Sequence, residues 1–214
     1  MSKIIKYEQK NWGNIKKKLS RIVTISSRYR MLSQYNKIPK EKQYWTMGGQ
    51  CVSHSKIIPG CELDQLVKDK FLIKKQFYSV ELNTKICKEN QKIKGPTWLN
   101  GDFFSVIEDF ASNNLLNPAI INYDSCITPK HAGAYVGKIL LLLSAYDFTD
   151  VLVSCNTVAS CSYIKDIDLT EVSSIITSNT KVQLALCQGW EVTDTFIYTA
   201  HQTKMVTVSF FRRS

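Results

Sequence analysis

Metal-ligand spacing is missing from this sequence. No Cys-x-x-Cys pair occurs, and the three histidines, His54, His131 and His201, stand far apart. The seven cysteines are scattered, several of them inside apolar runs. This pattern argues against a structural zinc site and for reduced, mostly buried thiols in a cytoplasmic protein. A long apolar run is missing too. The longest, VGKILLLLSAYDF at 136–148, carries Lys138 and Asp147 and is too short to span a bilayer. Residues 1–21 are lysine-rich without the apolar stretch of a secretory signal. No internal repeat or low-complexity segment is evident. What remains is a soluble chain of 214 residues, one domain or one domain with an appendage. With 44% hydrophobic and 21% charged residues, a sizeable core is expected and wholesale disorder is not.

Acidic residues are scarce in one place only. Residues 1–42 hold 12 Lys/Arg against two acids, Glu8 and Glu41, whereas residues 43–214 hold 16 of each sign. The whole net charge of +10 therefore sits in the first fifth of the chain. A basic extension on a neutral body points to a polyanionic partner, with nucleic acid the default candidate and Lys16, Lys17, Lys18, Arg21, Arg28 and Arg30 the residues to contact it. The plainer alternative is a solvated lysine-rich helix. Apolar residues recur near helical spacing from Trp12 to Tyr35, which predicts one or two amphipathic helices ended by Pro39. Tyr29 and Tyr35 lie among basic residues, an arrangement that suits base stacking. Packing of these rings onto the body is the simpler account.

From residue 43 strands and helices alternate. QYWTMGG reads as a strand running into a double glycine, and Pro59-Gly60 introduces a short helix, CELDQLVKDKF. QFYSVEL is a strand and NTKICKENQKI a helix; TWLNGDF ends a strand and SVIEDFASNNL is helical. PAIINYD is a strand, HAGAYVGKILLLLSAYDF a long helix, and DVLVSCNTV an apolar strand of the kind found inside a parallel sheet. Residues 168–188 look helical, and DTFIYTAHQ with MVTVSFFRR forms an antiparallel hairpin. The expected fold is α/β: a doubly wound, mostly parallel sheet with a C-terminal β-hairpin, preceded by basic N-terminal helices. Its two parts are an extension, 1–42, and a body, 43–214. In such a sheet the ligand site lies at the carboxyl ends of the strands.

Carboxylates stand at those ends. An acid after a strand can accept two hydrogen bonds from a ribose diol, and Glu81 is placed for that, one helix after the strand that ends at Gly48 and Gly49. Asp102 follows one unit later, where it or its neighbouring backbone can meet an adenine amine, with Phe103 over the ring. Each acid also has a local use, stabilising or capping the helix that follows. Asn156 reads as a turn former, and His131 and His201 as structural.

The order GG (48–49), VEL (80–82), GDF (101–103) and NYD (122–124), closed by a hairpin, resembles the class I S-adenosylmethionine-dependent methyltransferases over residues 43–214. The resemblance implies S-adenosylmethionine as cofactor, held by Gly48, Gly49, Glu81, Leu82, Asp102 and Phe103. It implies Asn122, Tyr123 and Asp124 at the site of methyl transfer, with no metal. The chain departs from the family pattern in two places. MGGQCVSHSKIIPG is a longer, looser loop than the usual glycine-rich turn, and NYDS is not the Asp/Asn-Pro-Pro-aromatic motif of base amino methylation. A methyltransferase acting on DNA or RNA is the first expectation. The alternatives are a methyltransferase-like module without catalysis that binds nucleic acid or a protein partner, and methylation of a small molecule or protein. Oligomeric state is not legible.

Overall fold

The structure is a computed structural model that describes residues 37–124, 127–158, 169–200 and 203–212. The predicted N-terminal helices, and with them Lys16, Lys17, Lys18, Arg21, Arg28 and Arg30, lie outside the described residues, as does His201. The chain divides into two compact units between Ala119 and Ile120.

In the first unit, β1 (Gln43–Met47) leads through a short antiparallel pair, β2 (Val52–Ser53) and β3 (Lys56–Ile57), to helix α1 (Glu62–Lys68). A single 3-10 turn (Lys74–Gln76) precedes β4 (Phe77–Glu81), followed by α2 (Thr84–Asn90), β5 (Thr97–Asn100) and α3 (Phe103–Ser112). The three long strands are parallel in the order β5-β4-β1, with Met47 opposite Val80 and Glu81 opposite Asn100. Both faces of β1 are covered, since Tyr44 and Trp45 are each fully buried although they point to opposite sides. Trp45 stacks on Tyr78 at 4.8 Å and takes the edge of Phe110 at 5.0 Å, while Tyr44 stacks on Phe77 and Phe77 meets Trp98. These aromatic pairs pack between sheet and helices together with buried aliphatic residues such as Leu63, Leu66 and Ile107.

The boundary expected at residue 42 is not a break in packing. The Ile38 amide donates to the Phe71 carbonyl, and the buried Gln76 amide donates to the carbonyls of Ile38, Pro39 and Lys42. Residues 37–42 are thus held by the first unit.

The second unit contains all but the first two residues of β6 (Pro118–Asp124), then α4 (Pro129–Ala145), β7 (Val151–Val158), α5 (Leu169–Thr177), α6 (Thr180–Cys187), β8 (Trp190–Ala200) and β9 (Thr203–Arg212). β6 and β7 are parallel, and the β8–β9 hairpin adds antiparallel through β9, giving the order β6-β7-β9-β8. The expected class, α/β with mostly parallel strands and a closing hairpin, is what the chain adopts. Strand β6 matches its predicted limits. The helical region 168–188 is two helices, because Asn179 accepts from the Lys181 amide and starts a new one. The hairpin starts four residues earlier than expected, at Trp190, whose indole donates to Ser144 Oγ. A bulge interrupts β8 between Val192 and Asp194.

Helix α4 crosses α5 and α6 at two glycines. A Cβ on Gly137 would lie 2.6 Å from Lys181 Cβ and 2.9 Å from the Val182 nitrogen. Alanine is favoured over glycine inside a helix by about 1 kcal/mol. Here the obstacle is partly backbone, so overpacking, at about 1–3 kcal/mol, wins. Gly137→Ala should therefore lower the urea midpoint with an unchanged slope, against the helix-propensity trend.

Candidate functional site

The first unit gathers the candidate cofactor residues at the carboxyl ends of β1, β4 and β5. The Gly48 amide donates to the Val80 carbonyl, and a Cβ on Gly48 would sit 2.6 Å from Glu81 Cβ. The glycine thus serves first to bring β1 against β4. One strand further along, the Gly101 amide donates to the Glu81 carbonyl at 3.2 Å. Gly48, Glu81 and Gly101–Asp102 therefore form one continuous edge.

Along that edge Glu81 is half-buried, and its Oε1 accepts from the Asn83 amide at 2.7 Å. Asn83 in turn caps α2 by accepting from the Lys85 and Ile86 amides. Leu82, between them, is 76% exposed. Its side chain is an apolar surface offered beside a carboxylate. The turn is clamped from β5, where Asn100 donates to the carbonyls of Glu81 and Leu82 and accepts from the Thr84 hydroxyl.

Asp102 caps α3. Its Oδ1 accepts from the amides of Phe104 and Ser105, each at 3.1 Å, and from the Ser105 hydroxyl, while Oδ2 keeps its lone pairs for another donor. The local use of this acid, capping the helix that follows, is therefore realised. Phe103 is buried at 3% exposure with its ring edge-on to Phe104, and Phe104 is the half-exposed ring of the two.

The long loop after β1 is built rather than loose. Asn90, at the end of α2, is fully buried. It accepts from the Cys51 and Val52 amides, both at 3.1 Å, and donates to the Gly49 carbonyl at 2.9 Å. Glu62 is buried as well, accepting from Tyr44 Oη at 2.5 Å and Thr46 Oγ1 at 2.9 Å, which fastens the start of α1 to β1. Inside the loop the Cys51 thiol is pushed well up by its hydrogen bond to Cys61 and by burial, so it stays protonated. Neither Asn90 nor Asn100 stands out in the sequence. The only signal was a polar residue at a helix end and another before a Gly-Asp pair.

The second unit holds the candidate transfer residues at the carboxyl end of β6. Asn122 is buried, and its Oδ1 accepts from Asn156 Nδ2 at 3.2 Å. Asn156 Oδ1 accepts from the Thr207 hydroxyl at 2.5 Å. Asn156 is thus no turn former; it sits inside β7 in a polar row that crosses β6, β7 and β9. Asp124, half-buried, lies opposite Asn156 on the same face as Asn122. It does not cap the next helix, whose N-cap is Thr128. Tyr123 points the other way, is buried, and meets the half-exposed ring of Tyr135 on α4. His131 pairs with the Thr128 hydroxyl at 2.8 Å in the first turn of α4, a structural placement. Burial first, and then the Asp124 carboxylate, push the Cys155 thiol up to about 12. Among the described residues no group of His, Cys, Asp and Glu is arranged to hold a metal, and no helix is long and apolar enough to cross a membrane.

This α/β arrangement recurs in solved methyltransferase structures. Two structures of a 16S rRNA (adenine(1408)-N(1))-methyltransferase from Catenulisporales acidiphilia share it, one of them with cosubstrate SAM. They are 10% and 9% identical to this chain, cover 91% of it and are covered to 91%, with TM-scores of 0.52 and 0.53. An uncharacterized protein from Listeria monocytogenes serotype 4b is 11% identical over 94% of this chain and 69% of its own, with a TM-score of 0.51. No protein-family model matches the sequence, and no curated protein matches it at a significant level.

Two outcomes test this geometry. Asn90→Ala strips three buried backbone groups of their partner, so it should cost about 3 kcal/mol of unfolding free energy. Asn90→Asp, which keeps the acceptor, should lose less. In thiol labelling at about pH 8, the exposed Cys187 should react in the native state, whereas Cys155 should react only after denaturation.

Proposed function

We propose that this protein is an S-adenosylmethionine-dependent methyltransferase acting on nucleic acid, RNA before DNA. The observation that carries the reading is the edge formed by Gly48, Glu81, Leu82 and Asp102, where a carboxylate, an exposed leucine and an incompletely used aspartate stand at three neighbouring strand ends. This donor set fits an adenosine: a carboxylate for a diol, an apolar side chain for a purine face and a carboxylate oxygen for an amine. Glu81 would hold the ribose, Leu82 the base, and Asp102, with the Phe103–Phe104 backbone, the adenine edge. The 48–61 loop, beginning at Gly48 and Gly49, would hold the amino-acid end. The bound cofactor supplies a methyl group on a positively charged sulfur, which transfers by direct displacement.

The residues of this chain then have to orient the acceptor and manage its proton. Asp124 is the proposed proton acceptor. Asn122, fixed by Asn156, and Tyr123, packed against Tyr135, would position the acceptor and the strand end. RNA is supported by the surplus of basic residues in 1–42 and by the rRNA acceptor of the Catenulisporales acidiphilia enzyme with the same fold. A second reading, a binding module without turnover, draws on one feature: the 48–61 loop folds into its own β2–β3 pair and buries Cys51 and Val52.

Calorimetry with S-adenosylmethionine and its demethylated product tests the first step, with micromolar binding expected and no binding overturning the reading. Glu81→Ala should weaken binding about 10–100-fold, the worth of a charged hydrogen-bonding partner. Asp124→Asn should leave binding intact and depress transfer of a radiolabelled methyl group to total RNA by at least about 100-fold. Binding with no transfer to RNA, DNA or protein pools by the wild type would favour the second reading.

A further inference from the structure

The first unit carries a second concentration of positive charge, at the end of its sheet opposite the candidate cofactor site. Because β1, β4 and β5 are parallel, the segments that lead into them meet at one end. Lys37 and Lys40 precede β1, Lys70, Lys74 and Lys75 precede β4, and Lys94 precedes β5; all six are exposed. The hydrogen bonds of this end draw the three segments together. Ile38 donates to Phe71, Gln76 donates to Ile38, Pro39 and Lys42, and Gly95 lies directly against the Lys74 stem, where a Cβ would be 3.0 Å from Lys74 Cβ.

Ordinary uses of lysine do not account for these six. Lys68 and Lys92 do have such a use, since they sit in or just beyond the last turns of α1 and α2 and pair with Asp64 and Glu89. The six have no ion-pair partner among the described residues. The segments 37–42, 69–76 and 91–96 that enter the three strands hold eight lysines and two acids, Glu41 and Asp69. These lead-in segments are therefore strongly cationic, and α3 alone brings further acids, Glu108 and Asp109, toward them. The even charge balance of residues 43–214 conceals this patch. The chain also arrives here from its most basic part: residues 1–36 hold nine Lys/Arg and one acid, Glu8, and join the described body at Lys37.

We propose that this face, formed by Lys37, Lys40, Lys70, Lys74, Lys75 and Lys94, is a docking surface for the phosphate backbone of a nucleic acid. Point charges on long stems, with no aromatic ring among the six, suit sequence-independent phosphate contact and not base readout. The surface would anchor the polymer away from the carboxyl ends of the strands, so that one molecule of RNA touches the protein at two places. This inference rests on the nucleic-acid half of the proposed function and is independent of methyl transfer.

Fluorescence anisotropy with a labelled single-stranded 20-nucleotide RNA, repeated across a salt series, tests it on the full chain. Lys74→Gln/Lys75→Gln is compared with Lys88→Gln/Lys181→Gln, which removes the same charge from exposed positions elsewhere. The first pair should weaken binding by about tenfold or more and reduce the salt slope by about 1.4, the share of two phosphate contacts on a single strand. The second pair should match the wild type, and Lys74→Arg/Lys75→Arg should restore binding. Equal effects of the two glutamine pairs would overturn the docking surface while leaving nucleic-acid binding standing. A wild type that does not bind RNA would overturn both. Equal affinity for poly-glutamate would reassign the face to an acidic protein partner and overturn it as well.

Discussion

A missing side chain at residue 48 decides where the candidate site lies. With a Cβ there, Gly48 would press into Glu81 and the Val80 carbonyl at 2.6 Å, and β1 and β4 would be forced apart at their carboxyl ends. Without it the strands close, Val80 accepts the Gly48 amide, and the Glu81 carboxylate is set beside the first residues of the loop. Everything assigned to adenosine recognition hangs on that approach. The position of Asp102 is fixed to Glu81 through the Gly101 amide, and the Glu81–Leu82 turn is fixed to β5 through Asn100.

Two kinds of polar group hold this edge in place. Buried ones, Asn90 and Glu62, fasten the 48–61 loop and the start of α1 from behind. Glu81, half-buried, accepts from the Asn83 amide through Oε1, and Asp102, exposed, caps α3 through Oδ1. A helix cap and a ligand contact are thus compatible on the same side chain, because a carboxylate has about four acceptor positions and a cap uses two. The helix-cap use of Asp102 therefore does not compete with its proposed ligand use.

How much could be read beforehand differs by element. The limits of β6 were legible because Pro118 and Asp124 bracket an apolar run, and the α/β class was legible from the alternation of strand and helix. The triplet NYD stands at the end of β6, where the sequence puts it, yet its side chains part company: Asn122 and Asp124 share a face and Tyr123 faces α4, as the two-residue period of a strand demands. The β2–β3 pair was missed because two-residue strands carry no periodic signal. Asn156 was misread because an asparagine in a strand resembles a turn until its partners, Asn122 and Thr207, appear from strands 34 and 51 residues away. The lysine face was hidden for the same reason: residues 37, 70, 74 and 94 become neighbours only when parallel strands bring their beginnings together.

The bulge between Val192 and Asp194 has a bearing on behaviour in concentrated solution. β8 is the last strand in its order, eleven residues long and rich in residues that favour extended chain, so its outer side is a template onto which another molecule's strand can zip. The bulge breaks that template about a quarter of the way along, where Thr193 turns its hydroxyl back to the Ser209 carbonyl and the ladder loses its even spacing. An incoming strand would find three residues, Trp190–Val192, on one side of the bulge and seven, Asp194–Ala200, on the other, so it cannot pair along the whole of β8 in one register.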